Sequence, residues 1–282
     1  MSLLDLLRDA VDEATQDDDV GIVLSGGLDS STVACLARPL PAFTGFYHAV
    51  GFDERFYARL VAKGEHHEIP IGPRDFVEHF DAMAMALSGV ALRQGMGAFG
   101  QYMVARHASD YVRVLVSGEG SDELFGGYAR TLLAAGEPLP LGYEGYIPPT
   151  DYPVHDLAAA LQYDLDRLPD LLAVDEQTCS AWGIEGRAPF THQRVVEYGL
   201  ALPSSERVGK RHLRRAVRGT VPDPIIDRQQ KMGFPVPLVA WCQREPVRTF
   251  VMDRIGYLPD PLRPFERGFW YDLLTAVRVG TK

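Results

Sequence analysis

The chain has 282 residues, of which 46% are hydrophobic and 23% charged, with a formal charge of -10 at pH 7. That length holds one large domain or two modest ones, and the composition is that of an ordinary folded protein, which excludes disorder and fibrous architecture. The acidic surplus works against phosphate backbones and anionic membrane surfaces, so neither nucleic acid nor membrane is an expected partner, while small anions remain open to local cations and backbone amides because solvent and salt screen the global charge beyond about 10 Å.

Residues 1–19, MSLLDLLRDAVDEATQDDD, place Leu3, Leu4, Leu7 and Val11 at helical spacing and carry acids where a signal peptide carries basic residues, so a surface helix is expected. No apolar run reaches the 18 or so residues that a bilayer span needs. Cys35, Cys179 and Cys242 stand far apart, which supports neither a disulfide framework nor a zinc cluster and fits a reducing cytoplasm. Strands are expected at 20–24, 42–50, 66–71 and 111–116, with helices after residue 29 and over 53–64 and 74–87. This alternation predicts an α/β fold, a parallel sheet flanked by helices on both faces.

Residues 136–153 are rich in Pro, Gly and Tyr and are expected to be irregular, a connection or a loop over a site. They divide an α/β core at 1–135 from a mainly helical region at 154–282, whose helical segments are expected within 155–183, 191–203 and 209–219.

The stretch VGIVLSGGLDSST, residues 20–32, runs from an apolar strand into a Gly-rich turn and a helix. Such a turn gathers free backbone N–H groups and a positive helix end at one point, and Ser25, Ser30 and Ser31 add hydroxyls, so phosphate is the natural occupant. The plainer alternative is a tight turn at Gly26 and Gly27, with Asp29 or Ser30 capping the helix. The P-loop spacing with its Lys is absent, and Asp29 carries the opposite charge. A carboxylate beside a phosphate cradle calls for a hard cation between them, such as Mg²⁺.

A second stretch, VRVLVSGEGSDELFGGYAR at 112–130, repeats the pattern of apolar strand, Gly-rich turn and acid-led helix. In a parallel sheet the carboxyl ends of strands share one edge, so both loops can face one cleft with Asp29 and Asp122 as metal ligands. Acids in a first helical turn also stabilise a helix by roughly 0.3–1 kcal/mol without any ligand.

Together SGGLDSS and SGEGSDELFGGY resemble the loops of the synthetase domain of asparagine synthetase and its β-lactam-forming and carbapenam-forming relatives. The resemblance continues in HHEI, SAWGIEGRAPF, GKRHLRRAV and RQQKMGFPVPL, and spans roughly residues 20 to 240. It implies an adenine nucleotide alpha hydrolase-like fold with a PP-loop, and an ATP-dependent, AMP-forming ligase that activates a carboxylate as acyl-adenylate and passes it to ammonia or an amine. Under the resemblance, Leu24, Ser25, Gly26, Gly27, Asp29, Ser30, Gly51, Ser117 and Gly118 bind ATP, Asp29 and Asp122 hold Mg²⁺, and Lys231 and Glu119 are catalytic. Lys210 and Arg228 are further phosphate contacts on the same grounds; as isolated residues they read as solvated surface cations.

Arg187 reads as a partly buried guanidinium that orders the helical region. His66 and His67 point to opposite strand faces and are not read as a metal pair. Residues 88–107 occupy the place of the acceptor pocket without a clear match; Arg93 there is a candidate grip for a carboxylate, with a helix-capping loop at least as good a reading. Thr191-His192 replaces the family's Leu-Asp, so activation of a carboxylate is better supported than aspartate as its identity. Ser2 follows Met1 and the loop begins at Ser25, so the glutaminase domain is expected to be missing. Nitrogen would then come from free ammonia, another amine or a separate glutaminase chain, and a homodimer is one open assembly, since the sequence does not reveal oligomeric state. The alternative functions are a β-lactam or isopeptide-type synthetase on another carboxylate and a non-catalytic ATP-binding subunit of a glutaminase complex.

Overall fold

The computed structural model describes residues 1–49, 53–87, 97–140, 143, 146–228, 235–259 and 267–277. Helix α1 (Leu3–Ala14) starts with a capping box: the Asp5 amide donates to Ser2 Oγ at 3.3 Å and the Ser2 amide donates to Asp5 Oδ2 at 3.1 Å. Its apolar stripe, Leu3, Leu6, Leu7, Ala10 and Val11, is buried. Next come β1 (Val20–Val23), α2 (Leu28–Leu36), β2 (Ala42–Tyr47), α3 (Arg55–Val61), β3 (His66–Ile71), α4 (Pro73–Ala86), α5 (Ala98–Ala108) and β4 (Val114–Val116). Short helices α6 (Ser121–Phe125) and α7 (Ala129–Ala134) precede α8 (Leu157–Leu165), α9 (Leu168–Ser180) and β5 (Glu185–Arg187). The remaining helices are α10 (Gln193–Ala201), α11 (Ser204–Arg207), α12 (Arg211–Ala216), α13 (Asp223–Ile226), α14 (Leu238–Trp241), α15 (Val247–Ile255) and α16 (Arg267–Thr275).

The strands form one parallel sheet in the order β3-β2-β1-β4-β5. Side chains alternate between two cores, as period-two strands covered on both faces must. Val20 and Ile22 of β1 and Val114 and Val116 of β4 join the core beneath α1 and α2, while Leu115 and Phe43 join the aromatic core of α4, α5, α15 and α16. In that second core Phe76 packs edge-on against Phe99, Trp241 and Phe250. Register is specific, with Ile22 beside Ala42 on one side and beside Val116 on the other.

Several expected boundaries shift for local reasons. Strand β4 begins at Val114 rather than residue 111, because the amides of Tyr111 and Val112 both return to Ala108 O at 2.9 Å and close the end of α5. Strand β2 stops at Tyr47, whose carbonyl accepts from the Ala49 amide at 2.8 Å in a turn. The segment 155–183 is two helices, since Pro169 sits in the first turn of α9, where its missing N–H costs nothing. Strand β5 was not expected from the sequence. It adds a fifth strand beside β4, pairing Val116 with Arg187.

The chain leaves β1 toward β2 and β3, then returns to β4 on the other side of β1. The carboxyl ends of β1 and β4 therefore flank the point where strand order reverses, where open α/β sheets form their ligand crevice. Among the helices that follow β4, Arg130 Nε donates to Asp164 Oδ1 at 2.7 Å, while Thr131 Oγ1 and Tyr152 OH donate to Asp164 Oδ2 at 2.8 and 3.2 Å. That buried network ties α7 to α8. Among the described residues no helix is long and apolar enough to cross a membrane.

Candidate active site

The first wall is the loop after β1. Leu24 is fully buried, and its backbone is committed to β2: its amide donates to Phe43 O at 2.9 Å and its carbonyl accepts from Thr44 Oγ1 at 2.5 Å. Gly26 takes φ +79°, and a Cβ there would lie 2.7 Å from the Ala58 amide nitrogen and 3.0 Å from Glu54 O. Only glycine lets this turn press against the start of α3. Gly27 caps α2 without a side-chain bond, which leaves the helix N-terminus open to an anion. The Ser25 amide donates to Ser30 Oγ at 3.2 Å, the Gly27 amide donates to Ser25 Oγ at 3.3 Å, and the two hydroxyls lie 2.9 Å apart. These bonds fold the turn around its two hydroxyls, which with the uncapped start of α2 form the donor arrangement that phosphate oxygens accept from.

The second wall is the loop after β4. The Ser117 amide donates to Arg187 O at 2.8 Å, extending the pairing with β5, and the Glu119 amide donates to Ser117 Oγ at 3.4 Å. Gly118 is where the loops meet: a Cβ there would lie 2.7 Å from the Ser30 nitrogen and 2.8 Å from Asp29 Cβ. Ser121 Oγ donates to Asp29 Oδ1 at 2.7 Å across the same contact. The two acid-bearing turns are in van der Waals contact.

Lys210 stands between their carboxylates. Its ammonium makes a short ion pair with Asp29 Oδ2 and lies 2.6 Å from Asp122 Oδ1. The sequence reading of Lys210 as a solvated cation is overturned, for the residue is 4% exposed. Burial alone would lower its pKa, but Asp122 and Asp29 together outweigh that effect and raise it. Gly127 makes room for the pair, since a Cβ there would fall 1.9 Å from Asp122 Oδ1 and 2.2 Å from Lys210 Cε. Two carboxylates converging on one cationic atom form an oxygen donor set suited to a hard divalent ion, and Asp29 and Asp122 are the residues that would hold it. Arg228 is not a free surface cation either. It pairs with Glu54 and lies over the Tyr57 ring, 4.2 Å from its centroid.

These loops, with Glu54, Gln101, Pro138 and Arg214, line a cavity of about 590 Å³. Glu119 projects into it with its own surface open to solvent. Desolvation deep in the molecule, then the charges of Asp175, Glu123, Asp122 and Asp29, push its carboxyl above the ordinary glutamate range. The exposure of its own surface tempers the first of these causes, while the crowding of acids keeps the direction upward. Asp175 is buried at 8% exposure on α9, its carboxyl also raised by desolvation, and Gln101 Nε2 of α5 donates to its Oδ1 at 2.5 Å.

The structure thus brings together Leu24, Ser25, Gly27, Asp29, Ser30, Ser117, Gly118, Glu119 and Asp122 around one cavity, with Gly26 behind them. Lys231 and Gly51 lie outside the described residues, as do Arg93 and residues 88–96. Arg187 is partly buried and finds carboxylate and carbonyl partners as expected, but it ties β5 to the end of α1 rather than ordering the helical region: it pairs with Asp17 at 2.6 Å and Glu185 at 2.7 Å and donates to Ala14 O at 3.1 Å. His66 bonds Thr44 at 2.8 Å, while His67 stacks on Phe43 with centroids 4.8 Å apart. Their opposite orientations hold. Sequence reasoning did not single out Gln101, although it lies within the 88–107 stretch read as the place of the acceptor pocket, nor Asp175, which read only as part of a helical segment.

A family model described as Asparagine synthase matches residues 2–164 and 153–272. The chain is similar to the glutamine-hydrolyzing asparagine synthetase of Cricetulus griseus, 30% identical over 210 residues that cover 68% of this chain and 34% of that protein. The enzyme of the same description from Rattus norvegicus is 31% identical over 205 residues, again 68% and 34% of the two chains. Asparagine synthetase [glutamine-hydrolyzing] 1 of Bacillus subtilis (strain 168) is 24% identical over 326 residues, 86% of this chain and 50% of that one. The chain spans about a third to a half of the length of these curated relatives.

Proposed function

The chain belongs to the asparagine synthase family, and from that premise we propose that it is an ATP-dependent, AMP-forming ligase that joins a carboxylate to ammonia or another amine. A carboxylate oxygen of the substrate attacks the α-phosphorus, the bond to the bridging oxygen breaks, and pyrophosphate leaves. The amine nitrogen then attacks the acyl carbon of the adenylate, loses a proton and expels AMP. The observation that carries the reading is the contact of the two strand-end loops at Gly118, which sets the Ser25–Ser30 turn and both Asp29 and Asp122 around one cation.

Each group has a task that its position supports. The uncapped N-terminus of α2 and the hydroxyls of Ser25 and Ser30 receive the oxygens of the leaving pyrophosphate. Mg²⁺ held by Asp29 and Asp122 supplies positive charge to the polyphosphate when bound. Lys210 and Arg214 line the same cavity and add cationic charge. Glu119 lines the same cavity with a raised carboxyl pKa, which supports assigning it to accept the proton the amine sheds. Lys231 is assigned to the reacting phosphate on the match of its motif alone.

Incubation with ATP, Mg²⁺ and a panel of carboxylic acids, with and without ammonia, tests the proposal. AMP and pyrophosphate appearing only with one acid support it, and ammonia-dependent turnover of aspartate makes the product asparagine. Turnover of another amino-bearing acid without ammonia assigns a lactam or isopeptide synthetase. ADP and phosphate, or no nucleotide cleavage with any acid, would reject a ligase of this kind.

A further inference from the structure

We propose that Lys210 is a tethered cation that keeps the Asp29–Asp122 site closed to free divalent ions, so that metal and nucleotide enter together. The inference rests on the reading of Asp29 and Asp122 as metal ligands. It concerns what fills that position before they act. The Lys210 side chain is 5% exposed, and its ammonium contacts a carboxylate oxygen of each acid, 2.6 Å from that of Asp122.

The placement is fixed by backbone. Gly209 and Lys210 take successive left-handed conformations, φ 63° and 59°, the latter disfavoured for a side chain and kept only where its surroundings over-determine it. The Gly209 amide donates to Gly126 O at 2.9 Å, anchoring the turn beside the second loop. From behind, the bare Gly127 backbone closes on Lys210 Cε, leaving no space for another substituent. A free divalent ion must therefore displace an ammonium held at high effective concentration, which then loses both partners in a buried place. A nucleotide changes the exchange, because its phosphates give the released ammonium new anionic partners. Metal and nucleotide are thus coupled through Lys210, and the coupling acts equally on both affinities.

Mn²⁺ is the probe, with protein-bound ion measured by electron paramagnetic resonance on the full chain. Wild type should bind no Mn²⁺ through Asp29 in the absence of nucleotide, and should bind it with α,β-methylene ATP. Lys210→Met and Lys210→Gln should each bind Mn²⁺ alone at least about tenfold more tightly than wild type, and adding Asp29→Asn should remove that site. Wild type binding Mn²⁺ alone, with loss of binding in Asp29→Asn, overturns the inference whether or not the Lys210 variants fold. Folded Lys210 variants that gain no site overturn it too. The metal-ligand reading itself fails in a different way: Mn²⁺ bound with the analogue would be unaffected by Asp29→Asn and Asp122→Asn.

Discussion

Asp29 and Asp122 come from different loops, yet both carboxylates reach the ammonium of Lys210. Replacing either by Asn keeps the size and removes a charged oxygen donor. Pyrophosphate release is expected to fall by about 10²-fold or more, since charge stabilisation of this kind contributes roughly 3–4 kcal/mol to a transition state. Near-normal turnover in both variants would remove them from the metal site. Glu119 carries a pH signature. Its folded pKa lies above its ordinary 4.5 through desolvation and the surrounding acids, so the stability conferred by its neutral form is complete below that value and is lost as pH rises through the raised one. In Glu119→Gln the urea midpoint should therefore decline less from about pH 5 to about pH 9 than in wild type. Equal declines would show that Glu119 is not the group responsible. Asp29, Glu119 and Asp122 were legible in the sequence because they sit within Gly-rich turns after apolar runs. Lys210, a phosphate contact under the resemblance, read as solvated only when taken as an isolated residue, because burial of a lone cation depends on partners that are remote along the chain, and Asp175 was passed over because only folding brings it near Glu119.

The two strand-end turns act as one element because Gly118 has no side chain. In Gly118→Ala the added carbon meets the Ser30 nitrogen at 2.7 Å and Asp29 Cβ at 2.8 Å, positions that cannot rotate away. The loops must separate, and misplacement by about 1 Å can cost roughly 10²-fold in rate, while overpacking costs about 1–3 kcal/mol in stability. Loss of pyrophosphate release in a variant that stays folded, with stability lowered by no more than about 1–3 kcal/mol, is the expected outcome; full activity would show that the contact is dispensable. The Arg130–Asp164 network makes the opposite prediction. Asp164→Ala leaves a buried guanidinium unpaired and should destabilise the protein by about 3–5 kcal/mol in urea unfolding. A change below about 1 kcal/mol would show that water or another acid takes over. At this scale the sequence marked strands β1 to β4 through apolar, β-branched runs, but β5 escaped notice. Its three residues, Glu185, Gly186 and Arg187, have no apolar signal, and they pair with β4 through backbone alone.

Across the whole molecule, strand order places chemistry at one edge. The order β3-β2-β1-β4-β5 reverses between β1 and β4, and both acid-bearing loops leave that edge toward the same cavity. The class of fold was readable because alternating buried strands and amphipathic helices admit few arrangements. The order itself was not, since nothing local tells β4 to return beside β1 rather than beyond β3. The central claim is that a carboxylate oxygen forms a bond to the α-phosphorus of ATP. It is tested most directly by supplying the active carboxylic acid with ¹⁸O in its carboxyl group and analysing the nucleotide product by mass spectrometry. One ¹⁸O in AMP, with pyrophosphate unlabelled, is the predicted result; label in inorganic phosphate, or AMP formed without label, would contradict it.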